Sequence, residues 1–489
     1  MSDAVLVVGA GVAGLRVALE AAKAGASVVL VEREPTLGGS LSGLLAEKGA
    51  SFDFPDGISL PSFDEVKRQP NIEVLTLSEV TGLAGEPGRF KATIRQQARF
   101  VSDACTQCNN CRGVCPVVLP NEYDADLTYR KAIFTPALGS FPATFAIDLA
   151  HCLNTPPNYM PCQRCVSVCE PKAISFDVPL QKTFEREVGS VVIAVGGRRT
   201  NVTRLARYGY GQHPDVVTGF ELERLLAPNG PVGGYVERPS NEETPENALL
   251  VLNPEHAEFA TSKRATDYAW ESSARHALQL VEQDIAHVTV LYADEYSNGK
   301  AGNPFLRSAT ERGVTFMRGD VEKVGAGAQN ALTVQFKQSE NREAFKQEFD
   351  LVVLEHDLLP LEEMPTLAEA LRFSLTGEGY IQTIERRGSC VATTADGIYA
   401  LGAAAGSVTL RRTLADCPAV VQCALGHLRL SVKPVEAAAT SATEALGPQR
   451  EEPLTAVPST ALPADGELLQ RVENVLHAII QLGEKAVGR

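Results

Sequence analysis

The strongest constraint on the fold lies at the start of the chain, where residues 4–34 read AVLVVGAGVAGLRVALEAAKAGASVVLVERE. An apolar strand from Val5 to Val8, a glycine turn, a helix with an apolar face and a second apolar strand form a βαβ unit. Gly9, Gly11 and Gly14 give G-x-G-x-x-G between strand and helix. The first glycine permits the tight turn, the second lets backbone approach a pyrophosphate, and the third lets helix and strand pack closely. A pyrophosphate then sits at the helix N-terminus, where unpaired N–H groups and the macrodipole favour negative charge. Glu32 ends the second strand, eighteen residues past Gly14, and is placed to accept hydrogen bonds from an adenosine ribose. A dinucleotide site follows.

A second constraint is the cysteines: eight of the eleven fall between Cys105 and Cys169. The first motif is Cys105-x2-Cys108-x2-Cys111-x3-Cys115-Pro116. It matches the ferredoxin-type run in which three thiolates hold one [4Fe–4S] cube and the fourth reaches another. The second is looser: Cys152-x9-Cys162-x2-Cys165-x3-Cys169-Glu170-Pro171. Pairing them in the ferredoxin manner predicts one cluster on Cys105, Cys108, Cys111 and Cys169, and another on Cys115, Cys152, Cys162 and Cys165. Zinc normally takes paired C-x2-C knuckles and does not call for the first motif. The nine-residue gap leaves open a complete, an atypically ligated or a labile second cluster. Cys390, Cys417 and Cys423 stand outside the motifs. Cys423 reads as a small buried apolar residue, and Cys417, before Pro418, leaves a redox role open.

With 45 Lys+Arg against 60 Asp+Glu the net charge is −15, which argues against binding a phosphate backbone. No apolar run reaches the eighteen or so residues of a membrane-spanning helix. Met1-Ser2-Asp3-Ala4 lacks the cationic start of a secretion signal, and cluster thiolates must stay reduced. A cytoplasmic protein is expected.

Other segments resemble the FAD contacts of two-dinucleotide-binding flavoproteins. PTLGGSL (Pro35–Leu41) resembles their E-x-x-x-x-G-G segment, which makes the dinucleotide FAD and adds Gly38, Gly39 and Ser40 as contacts. VGSVVIAVGG (Val188–Gly197) is similar to the strand ending in A-T-G, with Ala194 and Gly196 in place. DGIYALGAAAG (Asp396–Gly406) is similar to the strand and turn that usually read G-D-A, but Gly402 is followed by Ala403, so the usual acid is missing. The same resemblance carries Arg33 and Val80 as FAD contacts. Between Asn247 and Val353, strands at Ala248–Leu252, Val288–Tyr292, Val314–Arg318 and Leu351–Leu354 and a helix at Tyr268–Gln283 match the superfamily's NAD(P)H-binding half. The glycine turn after its first strand is replaced by LNPEHAEFATSK, so close approach to a pyrophosphate is lost, and the region holds no cysteine.

The expected fold class is therefore α/β: a two-dinucleotide-binding, thioredoxin reductase-like flavoprotein with an inserted ferredoxin-like iron–sulfur domain. The predicted organisation is an FAD-binding domain in three pieces (1–95, 183–246 with a connection, and 356–430), a cluster domain at 96–182 and a degenerate NAD(P)-binding-like domain at 247–355. A linker follows at 431–465, five prolines falling within 434–465. In the helix predicted at 466–489, Leu468, Leu469, Val472, Val475, Leu476, Ile479 and Ile480 make one apolar stripe. It packs either on its own domain or on a partner, and a homodimer is expected.

The whole arrangement resembles the A subunit of heterodisulfide reductase from Val5 to Gly426. The match is carried by CTQCNNCRGVCPVVLPNEYD, RKAIFTP (Arg130–Pro136), AIDLAHCL, CQRCVSVCEPKAISFD, YADEYSNGK (Tyr292–Lys300) and GVTFMRGDVEKV (Gly313–Val324). Methanogen versions carry a further N-terminal cluster domain, a C-terminal ferredoxin and cysteines near the first strand of the degenerate half. The compact form resembles the A subunit of the heterodisulfide reductase-like complex of sulfur-oxidising microbes. That resemblance implies B and C type cluster subunits as partners and a lipoate-binding protein as sulfur carrier.

A flavin beside two clusters converts two-electron chemistry into one-electron transfer, tuned by charge, hydrogen bonds and burial. Arg411 or Arg412, before the helix aimed at the flavin, would stabilise the negative charge of a reduced flavin. One cation about 4 Å away at an effective dielectric near 20 contributes roughly 4 kcal/mol. Arg130 and Lys131 form a second candidate pair, joining the insert to the flavin half. For each the competing reading is a solvated surface cation. Two rivals to the complex subunit remain: a stand-alone NAD(P)H-dependent reductase, and a scaffold with structural FAD.

Overall fold

The protein is described by a computed structural model. It describes residues 2–41, 60–137, 139–198, 202–252, 266–293, 303–328, 330–338, 343–355, 357–386 and 389–428. The linker, the C-terminal helix and the segment 253–265 that replaces the glycine turn lie outside the described residues.

Two seven-stranded sheets organise the chain. In the first, Ala4–Val8 lies parallel to Ser27–Val31 on one side and to Ser190–Ile193, the middle strand, on the other. Ile72–Leu75 and Ile398–Ala400 extend it in parallel, and Ser389–Thr393 and Thr383–Arg386 add an antiparallel margin. Strands buried on both faces read as near-continuous apolar runs, as AVLVV does here. The helices Val12–Lys23 and Leu410–Leu425 cover one face together. Leu6, Leu15, Leu30 and Ile193 are fully buried, and truncating one to alanine costs about 2–5 kcal/mol.

The second sheet repeats the plan. Asn247–Leu252 pairs in parallel with His287–Tyr292 and Leu351–Glu355, and Thr315–Ala326 begins parallel and then turns antiparallel with Leu332–Gln338. Its outermost parallel strand is Val216–Thr218, paired with Leu351–Glu355. Residues from Val216 to Leu226 thus pack with the second sheet, within the span 183–246 that sequence reading gave to the return of the first half and a connection. The signal was weak because the strand has only three residues. Helix Asp267–Glu282, expected at Tyr268–Gln283, is capped by Thr266, whose hydroxyl accepts from Ala269 N.

The cysteine-rich stretch leaves and rejoins the first half between two antiparallel strands, Phe90–Gln97 and Gln181–Val188, with Ala98 N donating to Leu180 O at 2.8 Å. Inside it, two short helices, Asn110–Val114 and Arg164–Ser167, pack around a small core of Phe100, Val101, Phe145, Ile147 and Ile174. Among the described residues no helix is long and apolar enough to cross a membrane.

Candidate functional site

Each glycine of the first turn has its own steric reason. Gly9 has φ +96°, and a Cβ there would stand 2.5 Å from Ala194 O. A Cβ on Gly14 would stand 1.9 Å from Gly9 O, so the helix can only pack this closely without one. Gly11 differs: its Cβ position meets nothing within 4 Å, so backbone is bare towards open space at the N-terminus of helix Val12–Lys23, and no side chain caps that end. Gly38 and Gly39 fold against the turn, with Gly38 N donating to Ala10 O at 2.8 Å. Bare backbone at a helix N-terminus is the kind of cradle that suits a pyrophosphate.

Glu32 is buried, and burial raises its carboxyl pKa against two amides that lower it. Its oxygens accept from Ala10 N at 2.6 Å and Glu34 N at 2.9 Å, so it braces the glycine turn, while each oxygen keeps a second lone pair for a ribose hydroxyl. Gly196 (φ +75°) and Gly402 (φ +67°) turn the ends of the adjacent strands Ser190–Ile193 and Ile398–Ala400, and a Cβ on Gly197 would stand 3.3 Å from that of Ala403. Ala194 is buried, Val80 is buried with its backbone paired to Ile94, Ser40 is exposed, and Arg33 is half exposed and paired with Glu363 at 3.3 Å.

Cysteines from both motifs meet. Cys105, Cys108, Cys111 and Cys169 line one cavity, closed by Ile133 and Phe145. Left-handed backbone at Gln107 and Asn109 turns the first motif around it. Cys152 lies within electrostatic reach of Cys115 and Cys162, and Cys165 of Cys152, Cys162 and Cys111. Burial pushes the Cys111 thiol up to about 11 and the Cys165 thiol up to about 12. Among the described residues no three His, Cys, Asp or Glu side chains converge on a single-ion site; the first four thiols ring a hollow instead. Such a ring suits a multi-iron cluster, whose metals sit apart and each take one thiolate.

The arginine candidates separate. Arg412 is exposed and paired with Asp416 at 2.9 Å, whereas Arg411 has Nε and Nη2 out of solvent and its guanidinium 5.9 Å from the Phe305 ring centre. Arg130 is neither a link to the flavin half nor a solvated cation. It is nearly buried, forked onto Glu122 (2.5 and 2.6 Å), bonded to Asp148 (2.9 Å) and stacked 4.2 Å over Phe134, which makes it a brace within the insert. Lys131 lines an open groove with Arg112, Val118 and Tyr129. Cys417 is buried, donates to Thr413 O at 3.3 Å, and burial pushes its thiol up to about 12. Cys423 is half-buried, and the Cys390 side chain lies outside the described residues.

Sequence reasoning missed the ties between insert and flavin half. Tyr123 donates to Glu34 Oε2 at 2.8 Å, its hydroxyl held protonated by burial and that carboxylate. Arg99 spans the same junction. Tyr123 fell within a stretch quoted for its resemblance, but Arg99 carried no local signal, its partners being remote in sequence.

Residues 4–70 match the family described as FAD dependent oxidoreductase. The iron–sulfur A subunit of CoB–CoM heterodisulfide reductase from Methanocaldococcus jannaschii is 32% identical over 416 residues, 84% of this chain and 62% of its own length. The chain is a homologue of the heterodisulfide reductase A subunit. The A subunit of the H(2):CoB-CoM heterodisulfide,ferredoxin reductase from Methanothermobacter marburgensis is 30% identical over 410 residues, 83% of this chain and 61% of its own. The chain therefore spans a little under two thirds of these relatives. Thioredoxin reductase of Lactococcus lactis superposes with a TM-score of 0.45 at 14% identity, covering 86% of this chain and 98% of its own. The FAD dependent oxidoreductase match falls on the first βαβ unit, and the fold is α/β with two mainly parallel sheets.

Proposed function

We propose that this homologue is the electron-transfer subunit of a heterodisulfide reductase-like complex, holding FAD and two [4Fe–4S] clusters and serving cytoplasmic sulfur oxidation. Bound FAD supplies a carrier of electrons in pairs or singly, and bound clusters supply carriers of one electron each. Gly9, Gly11 and Gly14 hold the pyrophosphate against the helix N-terminus, and Glu32 orients the ribose. Cys105, Cys108, Cys111 and Cys169 hold the first cluster; Cys115, Cys152, Cys162 and Cys165 hold the second. Arg411 places a cation at the start of the helix aimed at the flavin, as the sequence pattern implies, and Arg130 keeps the insert in shape.

The observation that carries the reading is the single cavity lined by three cysteines of the first motif and the last cysteine of the second. The partners proposed are B and C type subunits and a lipoate-binding protein, with the chain itself a homodimer. Val118, Tyr129, Tyr159 and Met160 on the insert are large, apolar and more than half exposed, as a docking face requires. The test is anaerobic: iron and sulfide are counted on the purified chain, and NADH or NADPH is then mixed in. Eight irons and no flavin bleaching are expected. Rapid bleaching would make the chain a stand-alone NAD(P)H reductase, and an iron-free chain would end the cluster reading.

A further inference from the structure

Two segments meet where the insert touches the flavin half. Pro35–Leu37 belongs to the cradle beside Gly38 and Gly39, and Ser140–Phe145 ends at the wall of the first cysteine cavity. One backbone bond joins them, Leu37 N to Phe141 O at 2.8 Å. The hydroxyls of Thr36, Ser140 and Thr144 are buried there and hydrogen-bond to no protein atom. Arg99 supplies the side-chain tie. Its Nη2 donates to the Pro35 carbonyl and to Thr76 Oγ1 (2.6 Å), and its Nη1 reaches the Phe145 carbonyl at 3.5 Å.

The guanidinium therefore bonds to the cradle segment on one side and to the cavity wall on the other. It is a cation largely out of water, within electrostatic reach of Cys105 and Asp103. Its hydrogen-bond partners are two carbonyls and a hydroxyl, none of which neutralises it. A fixed positive charge favours the more negative, reduced form of a neighbouring redox centre. A planar fork is also the side chain suited to holding acceptors from separate segments in one geometry.

The geometry points to Arg99 as a positioning residue of the electron-transfer route: it seats the first cluster cavity against the flavin cradle and raises the reduction potential of the centre in that cavity. This rests on the proposal that Cys105, Cys108, Cys111 and Cys169 hold a cluster. The first consequence is that the charge matters and not merely the packing. The second is that a lysine, which keeps the charge, rescues the potential even though it loses the fork.

The test uses the full chain loaded anaerobically with FAD and iron, in wild-type, Arg99→Lys and Arg99→Met forms. Each is titrated against redox mediators, following the reduced cluster by electron paramagnetic resonance and the flavin by absorbance. Arg99→Met is expected to leave at least tenfold less reduced cluster at a fixed potential, a downward shift of about 59 mV or more for one electron. Arg99→Lys is expected to titrate close to wild type, and loss of iron from the methionine form alone supports the same dependence on charge. The proposal is overturned if the two variants behave alike, whether both keep the wild-type potential, both shift equally or both lose the cluster. Wild-type chain without iron would instead sink the cluster reading, and that is visible before any variant is made.

Discussion

At the scale of single residues, Gly11 and Gly14 share a motif but answer to different constraints. Gly14 is required by the protein itself, since a Cβ would overlap Gly9 O; overpacking of this kind costs about 1–3 kcal/mol or more. Gly11 has φ −70°, ordinary for any residue, and open space ahead. Only the cofactor has reason to exclude a side chain there. Gly11→Val is therefore expected to purify folded, with an unchanged thermal midpoint in the apo form, but without yellow FAD absorbance. Gly14→Ala should lose several degrees in the apo midpoint. If Gly11→Val retains stoichiometric FAD, the cradle has been placed wrongly. The cysteines show the same split between local and remote causes. The run Cys105 to Cys115 is set by spacing, and the company of Cys169 with Cys105, Cys108 and Cys111 around one cavity is the grouping that ferredoxin-like pairing of the two motifs predicts.

At the scale of elements, the second half contains a buried charged contact that sequence reading did not raise. His276, on helix Asp267–Glu282, is fully buried, with Nδ1 2.5 Å from Glu355 Oε1 and Nε2 3.5 Å from Glu223 Oε1; Arg275 also pairs with Glu223 at 3.0 Å. Burial opposes the imidazolium, but Glu355 and Glu223 outweigh it and hold the pKa at about 9, above the usual 6.5. A raised folded pKa means that the stabilisation is complete below about pH 6.5 and is lost as the pH rises through about 9. It is on the order of 3 kcal/mol. The midpoint difference between wild type and His276→Gln should accordingly be large at pH 6 and shrink by pH 10; a difference constant with pH would remove this account. Strands such as Leu351–Glu355 were legible because they are short apolar runs. Glu355 was not, because an acid one position past such a run looks the same whether it faces water or a buried histidine.

For the molecule as a whole, a first compact unit runs from Met1 to Ser431, and residues 432–489 lie outside the described residues. All the residues assigned to flavin and cysteine sites fall in the first. A chain ended after Ser431 is expected to bind FAD and iron in the same ratio as the full chain. Light scattering on the two forms separates the two places where the apolar stripe between Leu468 and Ile480 can pack: a smaller assembly for the shorter chain assigns it to a partner, an unchanged one to its own chain, and loss of FAD from the shorter chain would contradict the expectation. The two-sheet plan was readable from alternating apolar strands and helices. The short strand Val216–Thr218 and the cross-links by Arg99 and Tyr123 were not, since they depend on long-range contacts that leave no periodic trace.

The insert enters and leaves through neighbouring strands joined by the Ala98–Leu180 hydrogen bond. Through such a doorway the length of the insert costs its host little, because closing a loop costs only about 0.6 kcal/mol more for each doubling of its length. What a tight hairpin in place of residues 99–179 would take from the first half is instead a set of contacts: Tyr123 on Glu34, Phe141 on Leu37, and Arg99 on Pro35 and Thr76.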